Sequence, residues 1–302
     1  MKQRYTGLIA ATFTPMHEDG ALRLDRAGPM VEFLQRSGIQ AIYVVGSTGE
    51  GVSLSVRERR EAAEAFVRAA RGRLPVIVQV GHTSLTEARE LAAHAQDIGA
   101  DAVSAVPPFY FKPSSAANLA DCMAQIAGGA PKLPFYYYHI PAITSVGLDL
   151  VDFIRIARKR IPTFGGIKYT APTVHEYMAC VAEAGDDLDI LWGVDEMLLC
   201  GLAAGAKGAV GSTYNYAAPV YRHIIDAFER GNLDEAREWQ ARSVEMIRRI
   251  LDAGGLSAQK AVMQLIGQDC GPTRLPLPQL SKDQIERMGA RLREIGYFEW
   301  AR

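Results

Sequence analysis

The stretch PFYYYHIPAITSVGLDLVDFIRIARKRIPTFGGIKYT, residues 134–170, holds two short apolar runs, 134–139 and 164–168, separated by a segment of helical character. Runs of this length, rich in aromatic and β-branched residues, read as buried strands, and a helical crossover between two of them makes them parallel. The second run ends on Lys168, thirty residues after Tyr138, which closes the first. A strongly hydrated ammonium at the end of an apolar strand asks for a chemical explanation.

The same pattern recurs along the chain on both sides of this stretch. Eight strands are predicted: Gly7 to Thr14, Ala41 to Val45, Pro75 to Gly81, Ala102 to Val106, Pro134 to His139, Phe164 to Lys168, Leu188 to Gly193 and Gly208 to Ser212. Capping-box spacings mark helix starts just after strands, at Ser55 with Glu58, Ser84 with Glu87 and Thr173 with Glu176. Gly38, Gly72, Gly99 and Gly205 mark helix ends, where a left-handed residue is commonly glycine. Eight βα units predict a (β/α)8 TIM barrel, and the lack of GxGxxG after the first strand removes a dinucleotide fold. Helical patterns alone follow the eighth strand, over Pro219 to Arg230, Leu233 to Ala253, Ser257 to Gly267 and Ser281 to Ile295. The expected organisation is a barrel over residues 1–230 carrying the active site, then a C-terminal helical extension over 231–302.

Composition narrows the function classes. With 33 basic against 34 acidic residues the formal charge is -1, and no run of like charge suggests a nucleic acid or an anionic membrane as partner. Cys122, Cys180, Cys200 and Cys270 are never spaced as CxxC and read as buried thiols in a reducing compartment. No apolar stretch reaches the roughly 18 residues of a membrane span, and no leader pattern opens the chain, so a cytoplasmic protein is expected.

In a barrel the active site lies at the C-terminal strand ends. There the sequence places GSTGE (46–50), Tyr138, Lys168 with Thr170, Asp195 with Glu196, and Ser212. Gly46-Ser47-Thr48-Gly49 offers hydroxyls and approachable N–H groups for a carboxylate or phosphate, or is simply a tight turn that caps itself. Lys168 is either a rim lysine whose stem covers apolar surface or a nucleophile, since desolvation of a lysine favours the neutral amine that condenses with a ketone. Alternation sends Tyr136 and Tyr138 to one face and Tyr137 to the other, so Tyr138 is the tyrosine that can exchange a proton at the mouth. Asp195 and Glu196 suit N-capping of the next helix and recognition of a polyhydroxyl chain equally well. The six histidines, His17, His82, His94, His139, His175 and His223, have no HxH or HExxH spacing, so no metal is expected, and no GxSxG supports a serine hydrolase.

The GSTGE loop, the Tyr-x-x-Pro strand end (Tyr138 to Pro141) and the Gly-x-Lys strand end (Gly166 to Lys168) resemble the pyruvate-dependent class I aldolases, the family that contains N-acetylneuraminate lyases and dihydrodipicolinate synthases. The likeness runs from about Gly7 to the C-terminal helices. FYYYHIPAIT (135–144), GVDE (193–196) and GAVGSTYNY (208–216) are most similar to the lyase branch. In the synthase branch an arginine that receives a dicarboxylate stands where this chain has Ile143, which carries no charge.

The resemblance implies Lys168 as Schiff-base lysine and Tyr138 as proton donor and acceptor. It implies Ser47 and Thr48 on the substrate carboxylate, and Thr170, Gly193, Asp195, Glu196 and Ser212 on sugar hydroxyls. Tyr110 matches a tyrosine that in some relatives reaches a neighbouring subunit's site, and a homotetramer is implied with it. The implied reaction is reversible aldol cleavage of sialic acid to N-acetylmannosamine and pyruvate, without metal or organic cofactor. Ala171-Pro172, where lyases tend to carry a polar or acidic residue, keeps open another 2-keto-3-deoxy sugar acid as substrate of an aldolase or dehydratase. A non-catalytic keto-acid-binding barrel is the competing class.

Overall fold

A computed structural model describes residues 4–301. Eight parallel strands close into a barrel in sequence order: β1 (Gly7–Ala11), β2 (Ala41–Val44), β3 (Val76–Gln79), β4 (Ala102–Ala105), β5 (Phe135–His139), β6 (Phe164–Tyr169), β7 (Asp189–Trp192) and β8 (Gly208–Gly211). β8 pairs back onto β1 through Gly7 to Ala10. Most strands stop short of their predicted ends, because the last residues leave the ladder to build the mouth. β6 instead runs on to Tyr169, which pairs with both His139 and Trp192.

Around the barrel lie α1 (Ala27–Arg36), α2 (Val56–Ala70), α3 (Leu85–Asp97), α4 (Ala116–Ala127), the one-turn α5 (Pro141–Thr144), α6 (Leu150–Arg160), α7 (Val174–Ala184), α8 (Leu198–Ala203) and α9 (Tyr214–Glu229). Then come α10 (Leu233–Leu265), α11 (Lys282–Glu294) and the short α12 (Tyr297–Trp300). Helix α9 starts earlier than the predicted Pro219, with a break at Ala217 that places the proline near the start of the second segment, where its missing N–H does no harm. The two helices predicted on either side of residues 254–256 form one run, broken where Gly254 and Gly255 leave helical geometry.

Local signals fared unequally. Gly38, Gly72, Gly99 and Gly205 all take positive φ at helix ends, as expected. Ser55 with Glu58 forms a complete capping box, whereas Ser84 accepts only from the Glu87 N–H. At Thr173 the predicted box is absent: the Glu176 carboxylate is taken by the Tyr169 hydroxyl at 2.6 Å. Of the cysteines, Cys180 and Cys270 are buried, Cys122 is half-buried and Cys200 is exposed, so the expectation of four buried thiols fails at Cys200.

The alternation of strand residues divides the core in two. Tyr43, Ile77, Tyr136, Tyr138 and Val210 fill the barrel, while Tyr137, Ile167 and Tyr169 pack outward against helices. Lys168 reaches the inner set through an irregularity of register. Phe135 pairs with Phe164, but the next pair is Tyr136 with Gly166, so Gly165 is an extra residue in β6. Gly166 sits at φ 144°, and a side chain there would run into the Asp189 carbonyl. Paired residues of parallel strands point to the same side, so the unshifted register would set Lys168 beside outward-facing His139. The bulge sets it beside Tyr138 instead, facing into the barrel.

Candidate active site

At the C-terminal end of the barrel a cavity of about 340 Å³ is lined by Ser47, Thr48, Tyr138, Lys168, Thr170, Gly193, Asp195, Glu196 and Ser212, all singled out in the sequence. Side chains from six strand ends therefore converge once Ala11 of β1 is included. The wall is completed by Ile140 and Ile143 after β5, Thr213 after β8, and Ile247, Leu251, Leu256 and Gln259 of α10. The α10 residues carried no legible signal, because nothing local in a helix says that it folds back over a barrel mouth. The Gly254-Gly255 break, which lies between Leu251 and Leu256, was the one available hint.

Lys168 is 4% exposed and does not run to open solvent as a rim lysine would. Its Nζ lies 4.1 Å from the centre of the Tyr43 ring and 4.0 Å from that of Tyr138. Among the described residues it forms no ion pair. The Tyr43 ring is fixed by its hydroxyl, which donates to Ser104 Oγ at 3.0 Å, and it meets Tyr138 edge-on at 5.7 Å. Burial pushes the ionisation of the Tyr43 phenol well up, so this ring is a neutral platform. The Tyr138 hydroxyl stands 3.5 Å from Ser47 Oγ, a long contact that leaves it open to a bound molecule.

The GSTGE turn is held from outside. Gly49 O accepts from Thr14 Oγ1 at 2.6 Å, and the Gly51 N–H donates to Gly46 O at 3.0 Å. Ser47 and Thr48 line the cavity, and Ser47 Oγ lies beside the Tyr138 hydroxyl. Glu50 turns away from it. Fully buried, it pairs with Lys260 Nζ at 2.9 Å and accepts the Arg274 N–H at 2.8 Å, tying the loop to the C-terminal helices.

Asp195 does not cap the helix after it. Its Oδ2 accepts from the Thr213 N–H at 2.9 Å and the Thr213 hydroxyl at 2.6 Å, across the mouth at the end of β8. Burial raises its carboxyl to about 6, against the opposing pull of those bonds. Glu196 beside it is exposed at the rim. Thr170, which lines the cavity, has its Oγ1 buried without a hydrogen-bond partner among the described residues, an unmet polar group in the wall. Ser212 is half-buried, its carbonyl accepting from Asn215 Nδ2 at 2.8 Å, and the same amide reaches Ala11 O to join β8 to β1.

Tyr110 is not part of this cavity. It is 76% exposed, edge-on to Phe111, itself 86% exposed. His139, next to Tyr138 in sequence, stacks outward on Tyr169 at 5.2 Å, and burial holds its imidazole down at about 4. Among the described residues no three His, Cys, Asp or Glu side chains gather to hold a metal ion. Among the described residues no helix is long and apolar enough to cross a membrane. Lys168 is the one cation among the described residues lining the cavity. The arrangement suits a buried amine attacking a carbonyl, a phenol moving a proton beside it, and a polar wall for a hydroxylated chain.

Comparison with known proteins bears on this geometry. The model of the dihydrodipicolinate synthetase family matches residues 4–295. N-acetylneuraminate lyase A of Xenopus laevis is 45% identical over 279 residues, 91% of either chain. The structure of Proteus mirabilis N-acetylneuraminate lyase superposes with a TM-score of 0.95 at 37% identity, over 98% of this chain and 100% of that one. The catalytic lysine mutant of Ruminococcus gnavus sialic acid aldolase superposes with a TM-score of 0.90 at 28% identity, over 97% of both chains.

Proposed function

The chain belongs to the dihydrodipicolinate synthetase family, and from that premise we infer that it is a lyase cleaving N-acetylneuraminate reversibly to N-acetylmannosamine and pyruvate. One observation carries the chemistry: a buried lysine that forms no ion pair among the described residues, set by a bulge beside Tyr138. The Lys168 amine attacks the C2 ketone of the open-chain sugar acid, and loss of water leaves an iminium. Ser47 and Thr48 hold the adjacent carboxylate. Tyr138 gives its phenolic proton to the departing C2 hydroxyl, and the phenolate so formed takes the proton of the C4 hydroxyl as the C3–C4 bond breaks, while the bonding electrons flow into the iminium to give the pyruvate enamine. Protonation at C3 and hydrolysis release pyruvate and restore the amine. Thr170, Gly193, Asp195, Glu196 and Ser212 receive the hydroxyls of the sugar chain.

The wall supports this substrate over a dicarboxylate. With Ile143 at the rim and Lys168 as the one lining cation, a second carboxylate would find no charge to pair with. For the assembly we propose a homotetramer acting in the cytoplasm, with the exposed Tyr110 and Phe111 pair against a neighbouring copy, where Tyr110 would reach the neighbour's site. Large aromatic surface of this kind is characteristic of contacts between chains.

Borohydride reduction in the presence of pyruvate should add the pyruvate-derived mass at Lys168 and nowhere else. A panel of N-acetylneuraminate and 2-keto-3-deoxygluconate, assayed for pyruvate release, should favour the first. Labelling at another residue would overturn the covalent step, and preference for 2-keto-3-deoxygluconate would overturn the substrate.

A further inference from the structure

Behind Asp195 runs a chain of buried hydroxyls that leaves the cavity and enters the C-terminal helices. Thr213 Oγ1, 2.6 Å from Asp195 Oδ2, lies 2.6 Å from the hydroxyl of Tyr221 on α9. That hydroxyl lies 2.9 Å from Ser243 Oγ on α10, and Tyr221 and Ser243 are both fully buried. Each hydroxyl owns one proton. A carboxylate can only accept, so the Thr213 proton goes to Asp195, the Tyr221 proton to Thr213 and the Ser243 proton to Tyr221. Every donor points the same way, and such chains strengthen their members by mutual polarisation.

Helix α10 adds a second brace. Gln240 accepts from the Leu199 N–H at 2.8 Å and donates to the Asp195 carbonyl at 3.4 Å, holding the loop that carries the carboxylate. The other groups facing Asp195 are few. Lys168 from β6 attracts its charge, and Glu196 beside it repels it. Tyr214 and Tyr221 from α9 are phenols that burial keeps neutral. Asp195 Oδ1 lies against Gly211, where a side chain would collide with it, and the residue faces the cavity.

We propose that Tyr221 and Ser243 are positioning residues for substrate recognition: they hold the Thr213 hydroxyl as a donor, so that Asp195 meets the sugar hydroxyls as an oriented carboxylate. Neither touches substrate. The inference rests on the reading of Asp195 as a sugar-chain contact, and it assigns part of the specificity to the C-terminal helices.

The test compares wild type with Tyr221→Phe, Ser243→Ala, Thr213→Val and Thr213→Ser. The Asp195 carboxyl is followed by carbon-13 NMR in protein free of substrate, with its resonance assigned by its loss in Asp195→Asn. Its titration midpoint should rise by about one pH unit in Tyr221→Phe and Thr213→Val, a tenfold weaker acid, and by less in Ser243→Ala. Thr213→Ser, which keeps the hydroxyl, should stay at the wild-type midpoint. KM for N-acetylneuraminate near pH 6 should rise about fivefold in Tyr221→Phe and Thr213→Val, as the ionised fraction of Asp195 falls, while borohydride trapping of pyruvate at Lys168 is unchanged.

An unmoved midpoint in the variants, or a fall in kcat with KM constant, overturns the proposal. If Tyr221→Phe does not fold, Ser243→Ala decides, since it removes one hydroxyl and leaves the ring in place. A moved midpoint in a protein that does not cleave N-acetylneuraminate would sink the proposed function and leave the hydroxyl chain standing. Cleavage with an unmoved midpoint would do the reverse.

Discussion

Lys168 at the barrel mouth and Lys260 at the seam with the C-terminal helices are both buried, yet their partners differ in kind. Lys260 is fully neutralised: its Nζ meets Glu50 Oε1 at 2.9 Å and Pro272 O at 2.7 Å, and the far oxygen of Glu50 accepts from the Arg274 backbone. Lys168 has two aromatic faces instead, contacts worth about 0.5–2 kcal/mol each that leave it without an ion-pair partner among the described residues. Burial of a lysine therefore does not mark chemistry. The missing counter-charge does, because an amine locked to a carboxylate cannot leave it to attack a ketone.

The carboxylates of the two regions divide in the same way. At the mouth, burial raises Asp195 to about 6, whereas at the seam the Arg274 guanidinium pulls Glu58 down to about 2. The mouth holds a buried carboxylate at some expense to stability, whereas at the seam each of these charges has an opposite partner.

Substituting each of the two lysines separates the two environments most strongly. Lys168→Met should lower kcat by roughly 10⁴-fold or more while the protein unfolds at or above the wild-type temperature. Pyruvate release persisting at a comparable rate would remove the amine from the mechanism. Lys260→Met should leave Glu50 buried and unpaired, lowering the unfolding free energy by about 3–5 kcal/mol in urea titration. Glu50→Gln/Lys260→Met should recover much of that loss, and a double variant as unstable as the single would show that packing, not charge, is at stake.

Asp195→Asn sharpens the contrast at the carboxylates. Because the folded-state value lies above the ordinary 3.8, the folded protein holds that proton more tightly, and stability falls as pH rises from 3.8 through about 6. Removing the charge should therefore raise stability at neutral pH by on the order of 1 kcal/mol, while KM for the sugar acid worsens. Equal stability of variant and wild type on both sides of that window would count against the assignment.

The smallest effect belongs to Glu58→Gln. Its folded-state value is depressed, so its contribution is present above the ordinary 4.5 and lost as pH falls through about 2. Solvent at this partly exposed pair limits the loss to about 1 kcal/mol or less at neutral pH. A loss that survives at acid pH, where wild type has itself lost the contribution, would point to packing by Arg274 instead.

Much of this was readable from the chain. Strands β1 to β8 and the glycine helix ends were legible because short continuous apolar runs and left-handed C-terminal residues are local properties. Ser47, Thr48, Tyr138, Lys168, Thr170, Asp195, Glu196 and Ser212 were legible as polar groups at strand ends and Gly193 through the family resemblance, and the fold brings all nine to one cavity. Where the expectation depended on a partner elsewhere it failed: Thr173 lost its capping glutamate to Tyr169, and Cys200 came out exposed. Tyr110 stands apart from the cavity of its own chain.

By itself the sequence determined the alternation of strand and helix, the barrel that eight such units must close, and the chemical types at its mouth. Only the tertiary structure decided which way Lys168 points. One extra residue at Gly165 changes the side on which every later β6 residue emerges, and no local pattern reports a pairing with a strand thirty residues away. It likewise decided that Lys260 would find Glu50 and Lys168 would not, and that α10 would fold over the mouth to bring Ser243 behind Asp195. Those choices depend on packing between segments far apart in the chain.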